Sequence, residues 1–230
     1  MRFYYNRFAD CEAWRYASPL YDFHVADMIR IRLANAEDAD ALQRIYAYYV
    51  EDSETVVSFE TEAPDVAEFR RRIQQISAAF PYLVCEQDGR LLGYAYAHKC
   101  FERAAYQWCA ETTVYLSRDA RGLGIGRALY FALIQLLTKL DYRVLYAVIV
   151  SENRDSCLFH DRLGFRLFSV FSQSGWKSGR WLDVSWYELK CGSFDGEPSP
   201  PRLITDLSAN EIERVCAEAT TRVTNSPTLA

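Results

Sequence analysis

No stretch of this 230-residue chain stays apolar for long. The longest unbroken runs, Ala128 to Ile134 and Val144 to Val150, are far too short to cross a bilayer, so no membrane partner is expected. The N-terminus sets Arg2, Arg7 and acids among its aromatics and has no signal-peptide core. Zinc signatures are missing too. His24, His98 and His160 lie far apart, with no H-E-x-x-H and no Cys/His cluster, so no metal is expected. The seven cysteines contain no C-x-x-C pair, which fits free thiols in a reducing cytoplasm. No basic stripe runs along any helical pattern, and the net charge is −5, so nucleic acid is not expected as a partner. There is no internal repeat. What remains is ordinary globular composition, half hydrophobic and a quarter charged, with 16 Tyr, 13 Phe and 5 Trp. The length suits one large domain or a domain with appendages.

Residues 1–27 are aromatic and irregular and read as an added arm. Met28 to Ala34 alternates apolar residues with Arg, the pattern of a strand. A helix follows from Ala36 to about Val50, with Leu42, Ile45, Tyr46 and Tyr49 on one face. Pro64 suits the start of a second helix running to about Ser77. Tyr82–Glu86 and Arg90–Ala97 flank Gln87-Asp88-Gly89, the strongest short cue for a hairpin. Glu111 to Ser117 is the next strand, Ala128 to Leu140 a helix, and Val144 to Val150 a strand. Asn153 opens a helix that stops at Leu163-Gly164. Two strands, near Phe165–Phe171 and Asp183–Lys190, enclose a Gly/Lys/Trp-rich turn. Residues 192–201 read as a linker, and Ser208 to Thr221 as a polar amphipathic helix in a tail reaching residue 230. The hairpin makes part of the sheet antiparallel. The helical crossover between the strands at Glu111 and Val144 makes another part parallel. The expected architecture is an α/β (α+β) mixed, mostly antiparallel sheet with helices on both faces.

The most informative segment is Arg121-Gly122-Leu123-Gly124-Ile125-Gly126-Arg127, between a strand and a helix. Glycine costs a helix about 1 kcal/mol relative to alanine, so three alternating glycines at its entrance want a reason. A bare turn at a positive helix end exposes N–H groups on which a phosphate can settle, and Arg121 and Arg127 flank it. The turn is neither a Walker A loop, which needs Lys then Ser/Thr, nor a G-x-G-x-x-G dinucleotide fingerprint. It reads as a cradle for a pyrophosphate.

These residues resemble the GCN5-related N-acetyltransferase superfamily. Its Arg/Gln-x-x-Gly-x-Gly/Ala signature is met by Arg121, Gly124 and Gly126. Its second signature is met by Asn153 and Phe159-His160-Asp161-Arg162-Leu163-Gly164-Phe165. Closer likeness is to phosphinothricin acetyltransferases, also linked with methionine sulfoximine: Ala110-Glu111-Thr112-Thr113-Val114-Tyr115-Leu116, Ser58-Phe59-Glu60-Thr61-Glu62 and Gly175 to Val184. The resemblance spans about residues 28–191 and leaves the arm and the tail uncovered.

The resemblance implies acetyl-CoA as cosubstrate and direct transfer to the amine of a small amino-acid-like acceptor in a ternary complex. It implies Glu111 as general base and His160 as proton donor to the leaving thiolate. Main-chain groups of Val114, Tyr115 and Leu116 would bind the pantetheine arm. The amides of Gly122, Leu123, Gly124, Ile125, Gly126 and Arg127 would bind the diphosphate, with Asn153 nearby. Tyr115 alternates to the other face, toward the acceptor. Phe59, Arg103, Tyr106 and Lys177 match acceptor positions. Phe101 stands where a close relative has Lys, and Arg180 reads as a surface residue. A cysteine relay through Cys109 or Cys157 has no paired His/Asp pattern. Relatives form homodimers. Two other readings stay open: an acetyltransferase of protein or peptide amines, and a non-catalytic acyl-CoA-binding module.

Overall fold

The computed structural model describes residues 29–51 and 56–224. The arm at 1–27 and Met28 lie outside the described residues. Seven strands are described: β1 Ile29–Leu33, β2 Tyr82–Gln87, β3 Arg90–Lys99, β4 Cys109–Leu116, β5 Val144–Val150, β6 Arg166–Lys177 and β7 Arg180–Lys190. The helices are α1 Ala39–Glu51, α2 Val66–Ser77, α3 Ile125–Lys139, α4 Arg154–Arg162 and α5 Ala209–Thr224. The strands form one sheet in the order β1-β2-β3-β4-β5-β7-β6. Every neighbouring pair is antiparallel except β4–β5, which is parallel.

Local chemistry explains the element starts. The Asn35 side chain accepts from Glu37 N–H, while the Asp38 carboxylate accepts from Asn35 N–H, closing a capping box ahead of α1. Arg32 on β1 then bridges Asp38 and Glu86, so one guanidinium ties β1, β2 and the entry to α1. Asp65 caps α2 by accepting from Glu68 N–H. At the β2–β3 turn Asp88 and Gly89 both take positive φ, as an Asp-Gly hairpin of primed type requires.

Both faces of the sheet are covered. On one, Leu129, Leu133, Leu136 and Leu137 of α3 are fully buried with Leu83, Ala95 and Leu145. On the other, Leu42, Ile45, Phe69 and Ile73 of α1 and α2 pack on Tyr82, Val84 and Tyr94. The tyrosines have a structural use here: Tyr82, Tyr94 and Tyr96 stack along the sheet beneath α1 and α2.

Two segments differ from the sequence reading. The Gly/Lys/Trp-rich turn is mostly strand. β6 and β7 run on to Lys177 and Arg180, and the bend itself is Ser178-Gly179, both at positive φ. Two register shifts in β6 absorb the extra residues. The segment read as linker and tail is packed on the domain. Trp108 Nε1 donates to Ser199 O, Arg202 N–H to Leu140 O and Ile204 N–H to Ala79 O. The helix α5 buries Val215, Cys216, Ala219 and Val223 in the α3-side core. The polar composition of α5 hid this, because its apolar stripe is narrow.

Candidate active site

The parallel pair β4–β5 is short. Pairing covers Cys109–Glu111 against Val144–Tyr146, although β4 runs to Leu116 and β5 to Val150. Beyond Glu111 the strands part and leave a gap in the sheet. Ser117 N–H bonds Leu92 O, so by antiparallel alternation the odd-numbered residues of β4 bond toward β3. The main-chain groups of Thr112, Val114 and Leu116 therefore turn toward the gap. Among the three pantetheine candidates this places Val114 in the gap and turns the Tyr115 main chain to β3. Leu116 is already engaged: Tyr49 Oη donates to its carbonyl at 2.6 Å and lies 3.3 Å from its N–H.

Side chains of β4 alternate between the two faces. Val114 and Leu116 point toward α3, whereas Tyr115 joins the cluster under α1 and α2. Glu111 shares the Tyr115 side and Thr112 the α3 side. A cleft of about 260 Å³ runs through the gap and is lined from both sides, by Glu111, His98 and Phe59 and by Thr112, Tyr130 and His160.

Burial pushes the Glu111 carboxyl above its ordinary range, and the His98 charge opposes that. His160 is 3% exposed. Its Nδ1 lies 2.8 Å from Ser156 O. A carbonyl only accepts, so Nδ1 carries the hydrogen and Nε2 accepts from Tyr130 Oη at 2.9 Å. Burial holds the His160 pKa below its ordinary value, so the ring is neutral near pH 7. The Thr112 hydroxyl donates to Tyr146 O, a carbonyl at the point where β5 leaves β4. The sequence reading found His160 and missed Tyr130, which looks like any helix-core residue. His98 was missed as well, because nothing local marks it.

The glycine turn closes the α3 end of the gap. Gly122 and Gly124 sit at φ +79°, a region that favours glycine. Gly124 is the N-cap of α3 and supplies no side-chain cap, so the first-turn amides have neither an intrahelical nor a side-chain partner. Gly126 differs. It is not at positive φ, and a Cβ there would meet the Leu116 and Phe159 side chains at 3.4 Å, a close van der Waals contact. Arg121 lies over the rings of Tyr48 and Tyr49, and Arg127 is exposed. Leu123, half exposed, and Ile125, buried, complete the turn. Asn153 lines the cleft and its side chain also caps α4, accepting from Ser156 N–H.

The four acceptor candidates do not converge. Phe59 lines the cleft, its ring lying where a side chain on Gly175 would be. Arg103 and Tyr106 are exposed on the β3–β4 connection, outside the cleft lining, with Tyr106 against Phe101. Lys177 points its ammonium at three carbonyls, Val50 O at 3.0 Å, Ser58 O at 2.7 Å and Glu60 O at 2.9 Å. It holds the Phe59 segment rather than facing the cleft. Arg180 pairs with Glu152 on the surface. Phe101 packs with Tyr146 and Trp186.

A split sheet with a capless, glycine-entered helix at its gap is the arrangement of an acyl-CoA-dependent acetyltransferase. The family model described as an acetyltransferase (GNAT) domain matches residues 31–186, and the chain belongs to that family. It is similar to a phosphinothricin N-acetyltransferase of Alcaligenes faecalis, 39% identical over 156 residues, covering 67% of this chain and 78% of that protein. An L-methionine sulfoximine/L-methionine sulfone acetyltransferase of Salmonella typhimurium is 30% identical over 160 residues, covering 70% and 93%. Among solved structures, a phosphinothricin acetyltransferase from Sinorhizobium meliloti in complex with AcCoA superposes with a TM-score of 0.71 at 33% identity. It covers 77% of this chain and 98% of that one. Among the described residues no helix is long and apolar enough to cross a membrane, and no group of three or more His, Cys, Asp and Glu is placed to hold a metal.

Proposed function

We propose that this protein moves an acetyl group from acetyl-CoA to the free amine of a small amino-acid-like acceptor of the phosphinothricin or methionine sulfoximine type. Transfer is direct, in a ternary complex. The observation that carries this is the split sheet, with a half-buried carboxylate on one side of the gap and a buried Tyr–His pair on the other. Acetyl-CoA supplies the activated acyl group. The open amides at Ile125, Gly126 and Arg127 hold its phosphates, with Gly122, Leu123 and Gly124 shaping the turn. Val114 offers the pantetheine arm main-chain groups in the gap. Glu111 removes a proton from the acceptor ammonium, and its burial suits it to do so near neutral pH. The leaving sulfur departs beside the Tyr130–His160 pair, whose one hydrogen is held between Tyr130 Oη and His160 Nε2, and it takes up the second proton of the attacking nitrogen. Phe59 forms one wall for the acceptor.

The names of the relatives support the acceptor class. The cysteine pattern supports a cytoplasmic protein. Edge strand β6 leaves Leu167, Phe168, Val170 and Phe171 about half exposed, which supports a homodimer. The test is Glu111→Gln with phosphinothricin and acetyl-CoA. We expect kcat/KM to fall about 10²–10⁴-fold while calorimetry finds the acetyl-CoA Kd unchanged. Wild-type turnover in this variant overturns the role of Glu111. A screen in which only peptide amines are acetylated, or none is, overturns the acceptor class.

A further inference from the structure

His98 is the residue that the register of the sheet adds to this site. Strands β3 and β4 pair with His98 directly opposite Glu111. Residues opposite each other in an antiparallel pair share a face and touch. His98 Nε2 lies 3.7 Å from Glu111 Oε1, and both side chains remain partly open to the cleft. The other ring nitrogen is committed. Nδ1 lies 3.1 Å from Lys99 O, a group that only accepts, so Nδ1 carries its hydrogen permanently. Nε2 is then the nitrogen that gains and loses a proton, and it faces the carboxylate. With no proton between them, two sets of lone pairs oppose each other. With one proton the two groups attract wherever it sits.

We propose that His98 is a positioning residue that acts through Glu111, receiving at Nε2 the proton that the carboxylate takes from the acceptor and passing it to water. This rests on Glu111 being the base. In the step, an N–H bond of the ammonium breaks and its proton goes to a Glu111 carboxylate oxygen. The freed nitrogen lone pair attacks the thioester carbon, the C–S bond breaks with its electron pair leaving on the CoA sulfur, and the nitrogen's second proton passes to that sulfur. The proton then moves from Glu111 through a bridging water to His98 Nε2, 3.7 Å away, and out along the exposed ring edge. The carboxylate is restored, and the imidazolium beside it favours its ionised form.

The groups around the pair add no net charge beside it. Tyr96 on β3 and Cys100 just past its end are each pushed up to about 12 by burial, as is Tyr146 across on β5. Tyr130 on α3 is pushed up further by the same cause. Lys99, at the end of β3, is paired with Glu102. Among these neighbours the charge that bears on Glu111 is therefore that of His98 when its ring holds the second proton. Burial raises the Glu111 pKa and the His98 cation lowers it. Removing His98 leaves burial unopposed, so the acid limb of the rate profile moves to higher pH.

The experiment measures kcat/KM for phosphinothricin against pH at saturating acetyl-CoA, in the wild type, His98→Gln, His98→Asn, Glu111→Gln and the double variant His98→Gln/Glu111→Gln. We expect both His98 variants to shift the acid limb up by about one pH unit. Their acetyl-CoA Kd stays unchanged, and the double variant is no slower than Glu111→Gln alone. An unmoved limb beside an impaired Glu111→Gln overturns the role of His98 and leaves the base in place. A shift in one His98 variant and not the other also overturns it. Full activity in Glu111→Gln removes the base itself, and this inference with it.

Discussion

Lys177 shows how far a residue's type can mislead about its role. An ammonium near an acceptor site suggests an anion, yet here it donates to the carbonyls of Val50, Ser58 and Glu60. These lie at the end of α1 and on the segment carrying Phe59, so one side chain pins that segment to the β6–β7 hairpin. Lys177→Met leaves three carbonyls without this donor. Hydrogen bonds to a charged group are worth about 2 kcal/mol, which in a chain of this size lowers Tm by roughly 4–8 °C. We also expect the acceptor KM to rise while the acetyl-CoA KM holds, as read by thermal melts and steady-state kinetics. An unchanged melt with a raised acceptor KM would instead place Lys177 on the substrate. Glu111 and Lys177 were both visible as candidates in the sequence. Their opposite placements were not, because a side chain's partners come from other parts of the chain.

Among the elements, the β4–turn–α3 unit was the most legible. Its glycine spacing, apolar strand and helix pattern are all local, and the structure places them as read. The division of labour among the three glycines is not local. Gly122 and Gly124 provide left-handed backbone, while Gly126 lies inside α3 against Leu116 and Phe159. A left-handed residue with a side chain costs about 1–2 kcal/mol. Gly124→Ala is therefore expected to weaken acetyl-CoA binding about 5–30-fold, as titration calorimetry will measure, with the Glu111 pH limb unmoved. Binding of unchanged strength would show that the turn does not hold the cofactor. The β6–β7 hairpin was less legible. Its Gly, Ser, Lys and Trp residues carry turn chemistry, but pairing across the strands overrides that preference up to Ser178-Gly179.

For the molecule as a whole, the C-terminal segment is the main departure from a reading by composition. The family match ends at residue 186, yet the chain continues past Trp108, Leu140 and Ala79 and returns as α5 on α3 and β1. Thr220 Oγ1 accepts from Ile31 N–H on the edge strand, and Arg222 lies over the Phe131 ring. Ile204, Leu207, Val215 and Val223 are all buried there. At about 1.5–3 kcal/mol each, they rival the roughly 5–15 kcal/mol by which domains are stable. A chain ending at Arg202 is expected to lose its cooperative melt and to scatter light at temperatures where the full chain stays clear. A cooperative melt within a few degrees of the full chain would make α5 an ornament. Element order, the Asp-Gly hairpin, the glycine turn and the helix caps follow from the sequence by itself, since each rests on neighbours within a few residues. Tertiary structure alone decided where β4 and β5 part, that Glu111 and His160 approach one gap from opposite faces, and that His98 stands across from Glu111. Those facts depend on strand register and on chain segments far apart in sequence, and no local pattern encodes them.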